Sequence, residues 1–321
     1  MRTVAPGVLT RRTFLKFLAA AAGGAACLGA GRAAGAAETP PAAKPAFRFA
    51  VLADVQYADA EAQGKRHYRE SLLKLEHAVE QFNGLKPDFV IHLGDTIQTG
   101  LASFEAALPI FAKVKAPVYY VLGNHDFGVA EADRGKVLGK LGLDKLGGGQ
   151  GYYDFARAGW RLVVLNGNDL SVIARSPDSP EGKAAAALMM DLRKKGAPNA
   201  AAWNGAVGPQ QLAWLKATLA KAAAAGERSI VFCHFPVYPP GRSNLWNDAE
   251  VVEALESAKG VVAYFCGHEH QGGYAQKGPI HFLTFKGLVE ADPTASALVE
   301  VFPDCLKVTG FGRESSRLLK M

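Results

Sequence analysis

Short apolar runs and amphipathic stretches alternate along most of the chain. Phe47–Ala53, Phe89–Leu93 and Val118–Leu122 are near-continuous apolar runs bounded by turn residues, the pattern of strands buried on both faces. Between the first two, His67–Phe82 carries Leu72, Leu75, Val79 and Phe82 at helical spacing and runs into Asn83-Gly84, a stop signal. Phe104–Val114 reads as a second helix. Gly151–Phe155 and Trp160–Leu165 read as a hairpin. Pro180–Lys195 is Ala-rich and helical, and Pro209 opens a helix through Ala225. Ser229–Cys233 and Val261–Cys266 are strands on either side of a helix at Ala249–Ser257. After Pro279 the strands dominate: Ile280–Phe285, Ala295–Phe302 and Cys305–Gly310. Alternation first and strands later predict a mixed sheet system covered by helices, in one compact domain from residue 47 to 321.

Five of these strands break off into a sudden cluster of Asp, Asn, His or Gln. Asp54-Val55-Gln56 follows the first and Gly94-Asp95 the second. Gly123-Asn124-His125-Asp126 follows the third, His234 follows Val231-Phe232-Cys233, and Gly267-His268-Glu269-His270 follows Val261–Cys266. The carboxyl ends of strands in open α/β sheets converge on one crevice, so these distant residues are expected to meet. Together they offer carboxylates, amides and imidazoles but no thiolate. That donor set suits Mn, Mg, Fe or Zn better than copper or an iron–sulfur cluster. It exceeds what one tetrahedral zinc needs. Two divalent ions sharing a carboxylate fit better, an arrangement suited to in-line phosphoryl hydrolysis by a hydroxide that bridges the ions. Gly94, Gly123 and Gly267 are expected to allow sharp turns beside the ions.

The 321 residues are 49% hydrophobic and 21% charged, which excludes a collagen-like, coiled-coil or wholly disordered chain. The formal charge of +6 sits at the N-terminus. Residues 1–36 hold Arg2, Arg11, Arg12, Lys16 and Arg32 and no acid; without these five of the 36 basic residues, the excess over the 30 acids is one. No nucleic-acid partner is indicated. Thr10-Arg11-Arg12-Thr13-Phe14-Leu15-Lys16 places a basic pair before two apolar residues. The mild run Phe17–Ala30 is too short to span a membrane, and Ala34-Gly35-Ala36 suits cleavage. This order resembles a bacterial twin-arginine export signal. The resemblance implies a signal over 1–37, the twin-arginine translocation machinery as a partner, and a periplasmic or secreted protein with no stable membrane anchor. Residues 38–46, with three prolines, read as a flexible lead-in. Cys233, Cys266 and Cys305 remain after cleavage; an odd, sparse count favours buried free thiols over a disulfide framework, with a Cys233–Cys266 bridge as the alternative.

The five polar blocks, in their order, resemble those of the calcineurin-like metallophosphoesterases. These are Asp54-x-Gln56, Gly94-Asp95-x4-Gly100, Gly123-Asn124-His125-Asp126, His234 and Gly267-His268-x-His270. Most members carry His where this chain has Gln56. Ala53-Asp54-Val55-Gln56-Tyr57-Ala58-Asp59 is instead similar to the manganese-dependent ADP-ribose/CDP-alcohol diphosphatase branch. So are the stretches from Arg66 to Leu72, Trp203-Asn204-Gly205, His234 to Pro239, Leu245-Trp246-Asn247 and Gly272-Gly273-Tyr274. The chain departs from that branch in a shorter segment between Asp59 and Gln63, in Asp126 and in its export signal.

The resemblance implies a four-layer αββα sandwich of two mixed β-sheets flanked by helices. It implies two divalent ions, Mn2+ foremost with Fe, Zn and Mg as alternatives. Asp54, Gln56 and His270 would hold the first ion, Asp95 both, and Asn124, His234 and His268 the second. His125 is assigned as the acid that protonates the leaving oxygen, with Asp126 orienting it. Arg66 is a candidate for the distal phosphate, and Tyr238 and Tyr274 for stacking on a base. The expected reaction is hydrolysis of a phosphoanhydride in a nucleoside diphosphate derivative. The alternatives are an exported phosphomonoesterase or phosphodiesterase of broad specificity, and a non-catalytic phosphate-binding module.

Overall fold

The computed structural model describes residues 44–291 and 293–321. The expected export signal over 1–37 and most of the expected lead-in lie outside the described residues. Two six-stranded sheets face each other. The first contains β1 (Phe47–Leu52), β2 (Phe89–His92), β3 (Val118–Tyr120), β10 (Ala295–Val301), β11 (Cys305–Gly312) and β12 (Arg317–Lys320), in the order β12-β11-β10-β1-β2-β3. The second contains β4 (Tyr153–Arg157), β5 (Trp160–Val164), β6 (Arg228–Phe232), β7 (Val261–Cys266), β8 (Gly273–Lys277) and β9 (Ile280–Thr284), in the order β4-β5-β6-β7-β9-β8. Both are mixed. β1, β2 and β3 run parallel while β10 pairs antiparallel to β1; β5, β6, β7 and β9 run parallel while β4 and β8 close the edges antiparallel.

Strand alternation sorts the side chains into three apolar layers. Phe49, Val51, Phe89 and Ile91 meet Phe232, Ala263, Phe265 and Leu283 between the sheets. Ala50, Leu52 and Val90 point the other way, under α1 (Ser71–Leu85) and α2 (Ala102–Phe111). Val231, Cys233, Tyr264 and Cys266 point outward from the second sheet, under α5 (Pro209–Ala224) and α6 (Asp248–Glu256). The result is the four-layer αββα sandwich. α3 (Val137–Lys140) and α4 (Pro180–Lys194) belong to the connections. No helix among the described residues is long and apolar enough to cross a membrane. Cys233 and Cys266 are buried free thiols, not joined to each other, and Cys305 is buried as well.

Three expectations change. α1 starts at Ser71, not His67, because the residues before it pair with a distant loop: His67 N donates to Val289 O at 2.9 Å. It also runs through Asn83-Gly84. The Asn83 side chain is taken up by Lys113 O and Lys115 N, and the helix stops at Lys86, whose φ of 54° is left-handed. β8 and β12 are additional edge strands; β8, mostly exposed, lacks the apolar run that marks the others.

Candidate metal centre

The strand ends that carry the polar clusters all open on one rim. Four candidate ligands there sit in left-handed backbone: Asp54 (φ 54°), Gln56 (φ 43°), Asp95 (φ 59°) and His268 (φ 67°). That region costs a non-glycine residue ~1 kcal/mol or more. Backbone hydrogen bonds between loops hold it. Asp54 N donates to Gly94 O at 3.1 Å, Gln56 N to Asp95 O at 2.8 Å, and Gly267 N to His234 O at 2.9 Å. Gly94 takes a φ of 95°, the sharp turn expected of it. Gly123 is required for a different reason: a Cβ there would lie 2.1 Å from Asp95 Oδ1.

Seven side chains converge. Asp54, Gln56, Asp95, Asn124, His234 and His270 are buried, and His268 is half-buried. Asp95 stands in the middle. Its Oδ2 lies 2.9 Å from Gln56 Nε2 on one side and 3.2 Å from His234 Nε2 on the other. On the first side, His270 Nε2 is 3.4 Å from Asp54 Oδ1 and 3.3 Å from Gln56 Nε2. On the second, His234 Nε2 is 3.1 Å from Asn124 Oδ1 and 3.1 Å from His268 Nδ1.

The donor chemistry fits cations at this place. Each imidazole spends one nitrogen on a group that only accepts, so that nitrogen carries the proton. His234 Nδ1 donates to Leu93 O at 2.8 Å, His268 Nε2 to Asn204 Oδ1 at 3.0 Å, and His270 Nδ1 to Glu290 Oε1 at 2.9 Å. The remaining nitrogens face inward, those of His234 and His270 at carboxylate oxygens and that of His268 at His234 Nε2. Gln56 Oε1 is buried without a partner; turning the carboxamide over brings this oxygen beside Asp95 and His270. Such a cage of acceptors calls for positive charge. Burial opposes charge on His234, yet Asp95 and Asp54 lift it to about 9. His270 rises to about 9 against burial through Asp54 and Glu290. Asp95, although buried, is held well below the usual carboxylate range by His234 and His125. Burial and the neighbouring His234 push His268 the other way, toward its neutral form.

His125 opens a single 3-10 turn, His125–Phe127. Its backbone N donates to Asp95 Oδ1 at 2.7 Å, and its Nδ1 donates to Gln98 O at 3.2 Å, which leaves Nε2 available. Asp126 does not orient this ring, contrary to the sequence expectation. Its carboxylate accepts from Thr96 N (2.8 Å), Gly123 N (2.9 Å) and Asp95 N (3.2 Å), and so ties the two ligand-bearing loops together. Three groups gained no role from the sequence: Glu290 and Asn204, which fix His270 and His268, and the Gln98 carbonyl behind His125. Asn204 lies in a stretch the resemblance had marked; Glu290 and Gln98 carry no local signal.

Arg66 is half-buried and forms an isolated antiparallel backbone bridge with Glu290, and its charge pulls down both His270 and Glu290. Arg69, by contrast, is exposed and paired with Asp59 and Glu61. Tyr238 packs on Phe282 with ring centroids 5.1 Å apart, beneath Lys277. The Tyr274 hydroxyl is engaged by His281 Nδ1 at 2.9 Å, toward the start of β9 and away from the ligand rim. The structure therefore does not bring either tyrosine to the cluster. Trp203, beside Asn204 in sequence, is 40% exposed, with the Arg242 guanidinium 4.8 Å from the indole centroid.

A profile of the calcineurin-like phosphoesterases matches residues 47–272. A manganese-dependent ADP-ribose/CDP-alcohol diphosphatase of Arabidopsis thaliana is 31% identical over 309 residues, covering 86% of this chain and 97% of the relative. Its namesake from Mus musculus is 28% identical over 320 residues, covering 87% and 94%. Among solved structures, a dimetal phosphatase from Danio rerio superposes with a TM-score of 0.78 at 27% identity, covering 86% of this chain and 99% of that one.

Proposed function

The chain belongs to the calcineurin-like phosphoesterases and is a metal-dependent hydrolase, and we propose that it cleaves the phosphoanhydride of a nucleoside diphosphate derivative of ADP-ribose or CDP-alcohol type. The observation that carries this reading is the seven-ligand cage with a carboxamide, Gln56, in place of an imidazole. The relatives named for that reaction match along most of their length. In this reading Asp54, Gln56 and His270 hold one divalent ion, Asn124, His234 and His268 the other, and Asp95 both. A carboxamide oxygen is a harder ligand than imidazole, which favours Mn2+. When bound, the ions neutralise charge on the phosphate and acidify water for in-line attack.

The remaining work falls to side chains. The Gln98 carbonyl fixes the His125 ring by its Nδ1–H, so Nε2 delivers the proton to the leaving oxygen. Asp126 keeps the loops of Asp95 and Asn124 in register. Arg66 meets the distal phosphate from the His270 side. Trp203, with Arg242 stacked on it, offers a face for the base.

Hydrolysis by the purified Mn2+-loaded protein tests the reading, with ADP-ribose, CDP-choline, a cyclic nucleotide and an aryl phosphate compared. Preference for the first two is expected. Preference for the aryl phosphate would replace the diphosphatase with a broad phosphoesterase and point to the short segment after Asp59. We also propose that residues 1–37 direct twin-arginine export to the periplasm. The expected result is that Arg11→Lys with Arg12→Lys leaves the protein in the cytoplasmic fraction; undiminished export would refute it.

A further inference from the structure

A short strap of backbone, residues 287–290, follows β9 and runs between α1 and the first side of the ligand cage. Hydrogen bonds hold it on the cage side. Leu288 N donates to Ala53 O and Val289 N to Asp54 O, both at 2.9 Å. Gly287 N donates to His270 O at 3.2 Å, and a Cβ on Gly287 would lie 2.8 Å from His270 Cγ. At the end of the strap the Glu290 carboxylate accepts from His270 Nδ1 at 2.9 Å. A shift of the strap therefore moves the carboxylate that sets the His270 ring.

On its other side the strap turns the carbonyls of Val289 and Glu290 toward α1. His67 N donates to the first at 2.9 Å. Lys74 reaches both: its Nζ donates to Val289 O at 3.4 Å and to Glu290 O. Lys74 is 4% exposed, and it is the only charged residue among those that α1 buries. Leu75, Ala78 and Val79 of the same helix pack into the apolar layer under the first sheet. An ammonium buried beside them is costly unless its donors are used, and an apolar side chain would fill the place at less cost. What Lys74 holds therefore explains it better than what it adds to the helix.

We infer that Lys74 is a positioning residue for the ion assigned to Asp54, Gln56 and His270: it pins the strap from the α1 side, so that Glu290 meets His270 in the orientation ligation requires. The inference rests on that assignment of ligands. Charge and position predict opposite signs. As a charge alone, the ammonium repels a nearby cation, and its loss would tighten that ion's binding. As a pin, its loss loosens it.

A competitive chelator titration with Mn2+ reads the sign without turnover. Lys74→Met should weaken by ~10-fold the same one of two affinities that Glu290→Gln weakens, and leave the other in place. Lys74→Arg, which keeps the donors, should restore most of the loss. The double variant of Lys74→Met with Glu290→Gln should bind no more weakly than Glu290→Gln alone, since a residue acting through another adds nothing once that one is gone. If circular dichroism shows Lys74→Met unfolded, Lys74→Gln takes its place in the same titration. Tighter or unchanged binding, equal weakening of both affinities, or losses that multiply in the double variant would overturn the role of Lys74 and leave the ligand assignment standing. A native protein that holds fewer than two Mn2+ would overturn the assignment itself, and this inference with it.

Discussion

The two halves of the ligand cage are built from similar side chains and backed by different ones. On the first half, His270 leans on the Glu290 carboxylate, which the imidazole holds below its ordinary range. Asp54 lies alongside. On the second half, His234 leans on the Leu93 carbonyl and His268 on the Asn204 amide, both neutral. Asp95 serves both. The first position therefore carries more negative charge than the second, and a hydrogen-bonded carboxylate raises the basicity of the imidazole it holds. Equal ligand counts do not make equal sites: the first half is expected to hold a cation more tightly than the second.

The largest expected effect removes the group common to both halves. Asp95→Asn should lower turnover by ~10³-fold or more and leave under one ion per chain by elemental analysis. Two ions retained would show that Asp95 holds neither. His125→Ala should cost ~10²–10⁴ in turnover with both ions kept, since the side chain acts on the leaving group. Ion loss there would move His125 into the cage.

The asymmetry itself is tested by a pair. Glu290→Gln should weaken one of two Mn2+ affinities by ~10–100-fold in a competitive chelator titration, and Asn204→Ala should weaken the other by less. Equal losses would erase the distinction between the halves. Gln56→His should shift the first half toward zinc in a metal-competition assay, and an unchanged preference would refute the hardness argument.

A smaller effect separates acid loss of metal from acid loss of fold. His92, at the end of β2, is fully buried between Phe111 and Tyr120 with neither ring nitrogen hydrogen-bonded. Burial lowers it to about 4, against the pull of Asp54 and Asp95. Above its unfolded value of ~6.5 it is neutral in both states and changes nothing. As pH falls from there toward 4 the unfolded chain takes up the proton and the folded one does not. Stability should then drop by at most about 3 kcal/mol. His92→Phe should flatten that part of a pH–melting curve; an unchanged slope would clear His92.

The sheets were legible because strands buried on both faces leave continuous apolar runs, and the rim was legible because each run breaks into ligands. Tyr274 shows where this fails. Its place after a ligand strand suggested a stacking role, but the strand register turns its hydroxyl to His281. Asp126 fails differently: adjacency to His125 in sequence says nothing of direction in a 3-10 turn, and its carboxylate faces backbone N–H groups instead. Glu290 was invisible because its partner, His270, is met only after β9 has been laid down beside β7. Helix starts were misplaced where residues such as His67 are captured by tertiary pairing rather than by capping.

β1 lies between β2 and β10, and its register with β10 pairs Phe47 with Val301. During synthesis the first neighbour emerges soon after β1, and the second only when nearly the whole chain has been made. At ~5–20 residues per second that leaves one side of β1 open for on the order of ten seconds or more. Phe47, Phe49 and Val51 stand on that strand, and the candidate ligands Asp54 and Gln56 follow it. An open apolar edge is a template for pairing with other nascent chains. The order of synthesis thus leaves the strand that leads into Asp54 and Gln56 open on one side until the C-terminal strands arrive.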